Sequence, residues 1–455
     1  MKRQTLTRAE KTEIIRLLEA DLPLPRKYRE RLFADPPKPV ISPGIMKSVE
    51  RRGLADGWAN TLIRADNLDV LASLAGGSLR DMVHDAGGMK LVYIDPPFEA
   101  GLDFRMDMPV GDNGEFLRQT AFEDKWNPGA FDEFIYPRLE LIHNILADDG
   151  CLYAHCDWRL APRMRIMLDR VFGNFVNEII WHYTGGGRSR KYFARKHDHI
   201  LVYSKSRQFR FNADAIRIPY KKGSGYARSG ITAKSGKKYM PNQAGTVPDD
   251  VWDIPIINPM SSERTGYPTQ KPESLLWRII SASSMEGDLV ADFFCGSGTT
   301  IAVAEKLRRK WLAVDCGPLA IHTCRKRLLE LQNYSPASPF QICVANEFQQ
   351  DAPGGGIKAV LHYEAGGVRV ELAGFSPKAG EHPRIDLVDY WAVDPEYESH
   401  QETFHIGWHS FRTKNSRPLV LSSPVFCLAP GTRAIAVMIV DIRGQEYLEI
   451  FIVSV

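Results

Sequence analysis

Residues 289–307 read LVADFFCGSGTTIAVAEKL, and residues 309–315 continue RKWLAVD. An apolar run, a glycine turn, a helical stretch and a second apolar run ending in an acid follow one another. That order predicts strand, tight turn, helix and parallel strand, the unit from which α/β sheets are built. Gly296 and Gly298 allow a tight turn and close approach of the backbone to a ligand, and a helix opening at Thr299 offers unpaired N–H groups. A nucleotide-like cofactor fits such a turn, although glycine turns that bind nothing are also common in α/β folds. Asp315 closes the next strand about twenty residues after the glycines, where a carboxylate can accept ribose hydroxyls. A helix cap before Pro318 is the other reading of Asp315.

Working outward, the same alternation recurs upstream. TLIRAD (61–66) precedes NLDVLASL (67–74), KLVYID (90–95) precedes a loop, and GCLYAHCD (150–157) precedes LAPRMRIMLDRVFG (160–173). The fold class is therefore α/β around a parallel sheet. The segment LVYIDPPFEAG (91–101) ends a buried strand in Asp95-Pro96-Pro97-Phe98. At the carboxyl end of a parallel strand such residues face the ligand crevice. Two prolines stiffen the loop, so the Asp95 carboxylate and the Pro96 carbonyl present two acceptors at fixed spacing, which suits an amino group with two protons to give. Phe98 adds a flat surface for stacking on a planar base. A plain strand-ending turn is the alternative.

Four regions are expected: a helical arm at 1–45 with the Pro-rich connector DPPKPVISPG, a catalytic α/β domain at 46–184 and 262–335, an insertion at 185–261, and a separate β-rich domain at 340–455. Net charge is only +3, but residues 185–240 hold fifteen Lys/Arg against Asp198 and Asp214, a local block able to neutralise phosphates. The seven cysteines show no CxxC spacing, so free thiols and no structural metal are expected. There is no Walker A motif, no apolar run near the ~18 residues of a membrane span, and no secretory leader, so a cytoplasmic protein is expected. His155 and His197 read as structural.

The two motifs in this order resemble the amino-methyltransferases of bacterial restriction–modification systems. In that family Asp-Pro-Pro-Tyr/Phe is catalytic and Phe-x-Gly-x-Gly binds the cofactor. The catalytic motif comes first here and Phe294-Cys295-Gly296-Ser297-Gly298 last, which is similar to the permuted β group. RADNLDVLASL (64–74), AFEDKW (121–126), GCLYAHCDW (150–158), NEIIWHY (177–183) and YPTQKPESLL (267–276) carry the likeness further, and the layout with VDYWAVD (388–394) resembles type III modification subunits.

The resemblance implies a Rossmann-like methyltransferase fold with circularly permuted motifs, S-adenosylmethionine as cofactor, and transfer to N6 of an adenine flipped out of double-stranded DNA. It assigns Asp66 to the cofactor's adenine ring and Asp315 to its ribose. Asp292, Phe294, Gly296, Gly298 and Thr299 would shape the methionine pocket, with Thr269, Gln270 and Lys271 lining it, while Asp95, Pro96, Pro97 and Phe98 grip the target base. The insertion becomes the target-recognition region, with Arg188, Arg190, Lys191, Arg195, Lys196, Lys221, Lys222 and Arg228 on DNA and Tyr192, Tyr220, Tyr226 and Tyr239 as stacking groups. A homodimer and a separate restriction subunit are further implications. Cytosine-N4 transfer is the nearest rival, though Ser stands more often where this chain has Asp95. A DNA-binding module with a degenerate cofactor site is the rival from another class.

Overall fold

The computed structural model describes residues 46–454 except 54–57, 78, 113, 128, 186–188, 222, 333–337, 349–355, 365, 378–381, 399, 401–402 and 415–416. The expected arm at 1–45, and Arg188 and Lys222, lie outside the described residues. The strands in order are β1 (Met46–Arg52), β2 (Asn60–Arg64), β3 (Met89–Ile94), β4 (Leu102–Val110), β5 (Glu115–Asp124), β6 (Leu146–Cys156), β7 (Phe175–His182) and β8 (His197–Ser204). There follow β9 (Ile231–Thr232), β10 (Lys238–Tyr239), β11 (Val251–Asp253), β12 (Leu289–Asp292), β13 (Lys310–Asp315) and β14 (Phe340–Ala345). The rest are β15 (Gly356–Glu364), β16 (Gly367–Ser376), β17 (Val388–Asp394), β18 (Phe404–His405), β19 (Trp408–Phe411), β20 (Ser422–Phe426), β21 (Thr432–Asp441) and β22 (Glu446–Ser454). The helices are α1 (Asn67–Gly76), α2 (Arg80–Asp85), α3 (Ala130–Ile145), α4 (Ala161–Val171), α5 (Gly225–Ser229), α6 (Glu273–Ser283), α7 (Thr299–Lys306) and α8 (Pro318–Gln332).

An eleven-stranded sheet runs β11-β7-β8-β6-β3-β12-β13-β2-β14-β1-β18. Its centre, from β6 to β14, is parallel throughout. Strands covered on both faces read as continuous apolar runs, and β3 and β12 are of this kind. Successive residues of β3 face opposite ways. Leu91 and Tyr93 pack with Leu275, Ile279 and Ile301 of α6 and α7 on one side. Val92 and Ile94 pack with Val70, Phe131, Ile135 and Met164 of α1, α3 and α4 on the other. This three-layer arrangement, with the permuted motif order, is the expected Rossmann-like class.

Two expected boundaries need correction. Residues 197–204, assigned to the insertion, form β8, which pairs antiparallel with both β6 and β7, and β11 adds to β7. Ile200, Leu201, Val202 and Tyr203 are buried, so an apolar strand lies inside the basic block. Residues 340–345 likewise belong to the sheet as β14, parallel to β2 and antiparallel to β1. The β-rich tail, in sheets β15-β16-β20 and β19-β17-β21-β22, is not a separate body. Tyr390, Ala392, Met438 and Val440 share one apolar cluster with Ala313, Ile321 and Leu328. Buried Arg325 of α8 joins Glu50 of β1 at 2.7 Å to Glu446 of β22 at 2.5 Å.

Candidate active site

β3 and β12 lie side by side, and the chain continues from them in opposite directions, β3 towards β6 and β12 towards β13. Such a reversal opens a crevice at the carboxyl ends of the strands, where open α/β sheets bind ligands. A cavity of about 590 Å³ fills it. Its wall brings together Asp66, Asp95, Pro96, Pro97, Phe98, Thr269, Lys271, Asp292, Phe294, Gly296, Thr299 and Asp315. Gln270 is not on that wall. Its Oε1 accepts from Thr265 N at 2.8 Å and Thr265 Oγ1 at 2.9 Å, and its Nε2 donates to Glu263 O at 2.8 Å, so it ties the loop before α6 together. Gly298 is also off the wall. It caps α7 with φ at 72°, and a Cβ there would lie 2.7 Å from Cys324 Sγ, so its part is to make the turn.

On the β3 side, Asp95 Oδ2 is ion-paired to Lys271 Nζ, while Oδ1 is buried without a hydrogen-bond partner. An acceptor left in that state costs ~1–3 kcal/mol unless something arrives to donate to it. Lys271 Nζ also stands 5.5 Å from the Phe98 ring centroid. The loop is held from below by Asp124, which is 1% exposed at the end of β5. Its carboxylate accepts from Phe98 N at 3.1 Å, Glu99 N at 2.8 Å, Ala100 N at 2.9 Å and Trp126 Nε1 at 2.9 Å. Glu99 adopts φ 58°, a left-handed conformation costing ~1–3 kcal/mol for a residue with a side chain. The Asp124 bonds and a 2.7 Å ion pair to Arg163 offset it.

On the β12 side, Gly296 has φ 45°, and a Cβ would meet Tyr267 Cε1 at 3.2 Å, so this close-packed turn favours glycine. Asp315 Oδ2 accepts from Gly296 N at 2.9 Å and Oδ1 from Gly317 N at 2.8 Å. Burial pushes the Asp315 carboxyl up, against the pull of those N–H groups. Asp292 braces the turn from within, accepting from Phe294 N at 3.0 Å and Thr300 Oγ1 at 2.5 Å. Burial pushes its pKa to about 7, with the charges of Asp95 and Asp315 adding to the rise.

The third wall comes from α1 and α3. Asp66 caps α1, its Oδ1 accepting from Leu68 N at 2.8 Å and from Arg138 Nη2 at 2.6 Å. Arg138 also donates Nε to Asn67 Oδ1 at 2.5 Å, and Asn67 Nδ2 donates to Phe293 O at 2.6 Å, so one chain of bonds joins the β2 and β12 loops.

Residues 89–325, just over half of the chain, match the DNA methylase family of N6 and N4 methyltransferases. The chain belongs to that DNA methylase family. The methylase is 32% identical over 247 residues to the type II methyltransferase M.HpaI of Haemophilus parainfluenzae, covering 54% of this chain and 69% of that one. It is 37% identical over 237 residues to the type II methyltransferase M1.MboII of Moraxella bovis, covering 50% and 84%. It is 28% identical over 279 residues to the DNA adenine methyltransferase YhdJ of Escherichia coli K12, covering 61% and 85%. The crystal structure of an M1.HpyAVI–SAM complex is similar with a TM-score of 0.38 and 18% identity, covering 59% of this chain and 98% of that one.

Several wall residues of the methylase escape motif reading: Asn67, Phe104, Phe122, Asp124, Trp126, Phe134, Arg138 and Tyr267. Phe122, Asp124 and Trp126 sit in the AFEDKW match, Asn67 in RADNLDVLASL and Tyr267 in YPTQKPESLL, and those matches are the available signal. For Arg138 the signal is a cation on the buried stripe of α3, beside Ile135 and Leu139. His155 is buried between Tyr93 OH at 2.8 Å and Asp198 Oδ2 at 3.3 Å, in keeping with a structural role. Of the basic residues, Arg190, Lys191, Arg195, Lys221 and Arg228 are exposed and Lys196 half-buried. Arg195 lies over Trp158, next to wall residue Arg159, at 4.1 Å from its ring centroid. Tyr220 and Tyr226 pack edge-to-face on each other at 5.8 Å, whereas Tyr192 and Tyr239 are exposed.

Proposed function

We propose that this methylase transfers a methyl group from S-adenosylmethionine to N6 of an adenine flipped out of duplex DNA, as the modification component of a restriction–modification system. The observation that carries the reading is the Asp95 carboxylate: one oxygen fixed by Lys271, the other buried and free to accept, beside Phe98 and in the same cavity as the Gly296 turn. An amino group entering that cavity supplies the missing donor.

The residues fit the cofactor's parts. Asp66 and Asp315 are carboxylates held by backbone N–H groups on the cavity wall, where they would take an adenine amino group and ribose hydroxyls, and the Gly296 turn lies on the same wall. S-adenosylmethionine, when bound, supplies a methyl group activated by positive sulfur. The chain's own task is to raise the reactivity of an amino nitrogen whose lone pair is delocalised into the base. Asp95 Oδ1 and the Pro96 carbonyl accept its two hydrogens, which favours a pyramidal nitrogen and grows stronger as positive charge develops there. This is stabilisation felt mainly in the transition state, the kind that raises turnover. Asp95 Oδ1 also takes the proton that the nitrogen releases as its bond to the methyl group forms and the sulfur–methyl bond breaks. Phe98 stacks on the extruded base, and Lys271 keeps the carboxylate from rotating away.

The proposal extends to a homodimer working in the cytoplasm with a separate restriction subunit. Among the described residues no helix is long and apolar enough to cross a membrane. The test is single-molecule sequencing of DNA from a methylation-deficient host expressing the chain or its Asp95→Ala variant. N6-methyladenine at one motif in the wild type alone is expected. N4-methylcytosine instead overturns the adenine assignment, and no mark from soluble protein that binds S-adenosylmethionine overturns the DNA substrate.

A further inference from the structure

We propose that Phe193 is the side chain this protein inserts into the DNA base stack in place of the expelled base. The proposal rests on the DNA-methyltransferase reading above. Phe193 is 99% exposed, directly after the bend at 190–192, whose backbone and side chains are held by several contacts. Ser189 Oγ accepts the N–H groups of Lys191 at 3.1 Å and Tyr192 at 3.3 Å. The Arg195 guanidinium is 4.1 Å from the Trp158 ring centroid and 5.0 Å from that of Tyr192. An aromatic ring is thus held out in water by a braced turn, rather than left on a loose end.

The turn is anchored to the rim of the active-site cavity on both sides. Trp158 adjoins Arg159, which lines the cavity and pairs with Asp157 at 2.6 Å. At the other end Lys196 O accepts from Tyr183 N at 2.9 Å, and two residues later Asp198 holds His155, whose ring is 5.8 Å from Phe98. Phe98 is the surface on which the target base would stack, so the segment that carries Phe193 is tied to residues next to that surface.

Charge identifies the occupant. Among the described residues no carboxylate is ion-paired to Arg190, Lys191, Arg195 or Lys196, the nearby carboxylates Asp157, Asp198 and Asp253 being paired to Arg159, His155 and His182, and a phosphate backbone would complete that balance. A flipped base leaves a gap between its neighbours, and apolar side chains fill such gaps by stacking on the exposed faces. With four cations to seat the backbone, the ring reaches the stack as the backbone docks.

The test uses the full chain, its Phe193→Ala and Phe193→Trp variants, and two duplexes carrying the methylation motif found by sequencing. In one the target base is paired; in the other it faces an abasic site, so that little pairing opposes its extrusion. Phe193→Ala should lower kcat/KM on the paired duplex by about 10- to 100-fold, the worth of one base–aromatic stack. Its S-adenosylmethionine affinity should stay unchanged, most of the loss should disappear on the abasic duplex, and Phe193→Trp should restore the rate on paired DNA. With 2-aminopurine at the target, the fluorescence rise on flipping should be large for wild type and small for Phe193→Ala. An equal loss on both duplexes, or none on either, overturns the wedge while leaving the function intact. Wild-type protein that marks neither duplex overturns the function and the wedge together.

Discussion

Asp124→Asn removes half of what holds the catalytic loop while leaving its shape almost unchanged. Each carboxylate oxygen now takes two donors: Glu99 N and Trp126 Nε1 on Oδ1, Phe98 N and Ala100 N on Oδ2. Either orientation of the amide turns an NH2 group towards two of them. Hydrogen bonds to a charged acceptor contribute ~1.5–3 kcal/mol each, so the pair lost amounts to ~3–6 kcal/mol before the loop relaxes. Relaxation is open to it, because Glu99 is strained at φ 58° and will leave that conformation once unsupported. We therefore expect a stability loss of about 3 kcal/mol. Turnover should fall by about 100-fold, the usual cost of a reacting group misplaced by ~1 Å. Cofactor affinity should hold, since the bonds at Asp315, Gly296, Asp66 and Arg138 are untouched. Single-turnover transfer of a radiolabelled methyl group, with calorimetric titration of S-adenosylmethionine, separates the two. Wild-type turnover in Asp124→Asn, or a fall in cofactor affinity equal to the fall in turnover, would refute the idea that this carboxylate positions the loop.

Two further perturbations address the scaffold. Asp292 sits at about 7 in the folded chain against an ordinary 3.8, so between those pH values the folded state keeps a proton that the unfolded state has lost. Stability should then fall as pH climbs from about 4 to about 7, by up to ~4 kcal/mol at 1.36 kcal/mol per pH unit, and level off above. Asp292→Asn cannot ionise, and its amide can accept from Phe294 N while donating to Thr300 Oγ1, so its stability relative to wild type should rise across that window in urea unfolding; a difference that does not vary with pH would refute the assignment. Arg325→Met leaves Glu50 buried and uncompensated, at a cost of ~3–5 kcal/mol. Scanning calorimetry should show one transition displaced as a whole, whereas a separate, unmoved transition for the sheet of α8's neighbours would mean that the C-terminal strands fold on their own.

The strand–turn–helix of 289–306 and the Asp-Pro-Pro-Phe strand end were legible because each is local: the residues that decide the conformation lie within one turn of each other. β8 was not, since HDHILVYS is flanked by Lys and Arg, and counting charge over 185–240 hides an apolar run of four. β14 shows the same difficulty in another form. Its pairing with β2 and β1 joins residues some 280 to 300 apart, and nothing in FQICVA says which sheet it completes. Gln270 and Lys271 are adjacent in one motif, yet Lys271 reaches Asp95 and Gln270 turns back to Glu263 and Thr265. A motif places a segment at a site; which side chain faces the ligand is settled by the loop's own hydrogen bonds.

The β-rich tail gains a physical role once the hairpin β4–β5 is followed from end to end. At its base Asp124 holds the Phe98–Ala100 backbone, and Phe104 and Phe122, stacked at 4.7 Å, line the cavity. At its tip Gly111 N donates to Asp386 O at 2.9 Å, Arg412 Nη1 donates to Asp112 Oδ1 at 3.1 Å, and Arg417 Nη2 donates to Pro109 O at 3.0 Å. Between them Met108 and Val110 are buried with Val370, Leu372, Trp391 and Ile439 of the C-terminal sheets. A two-stranded ribbon is marginally stable alone and needs a third surface to pack on. Here that surface is the tail. The strands that sequence composition sets apart from the catalytic domain are what keep the hairpin, and through Asp124 the catalytic loop, in place.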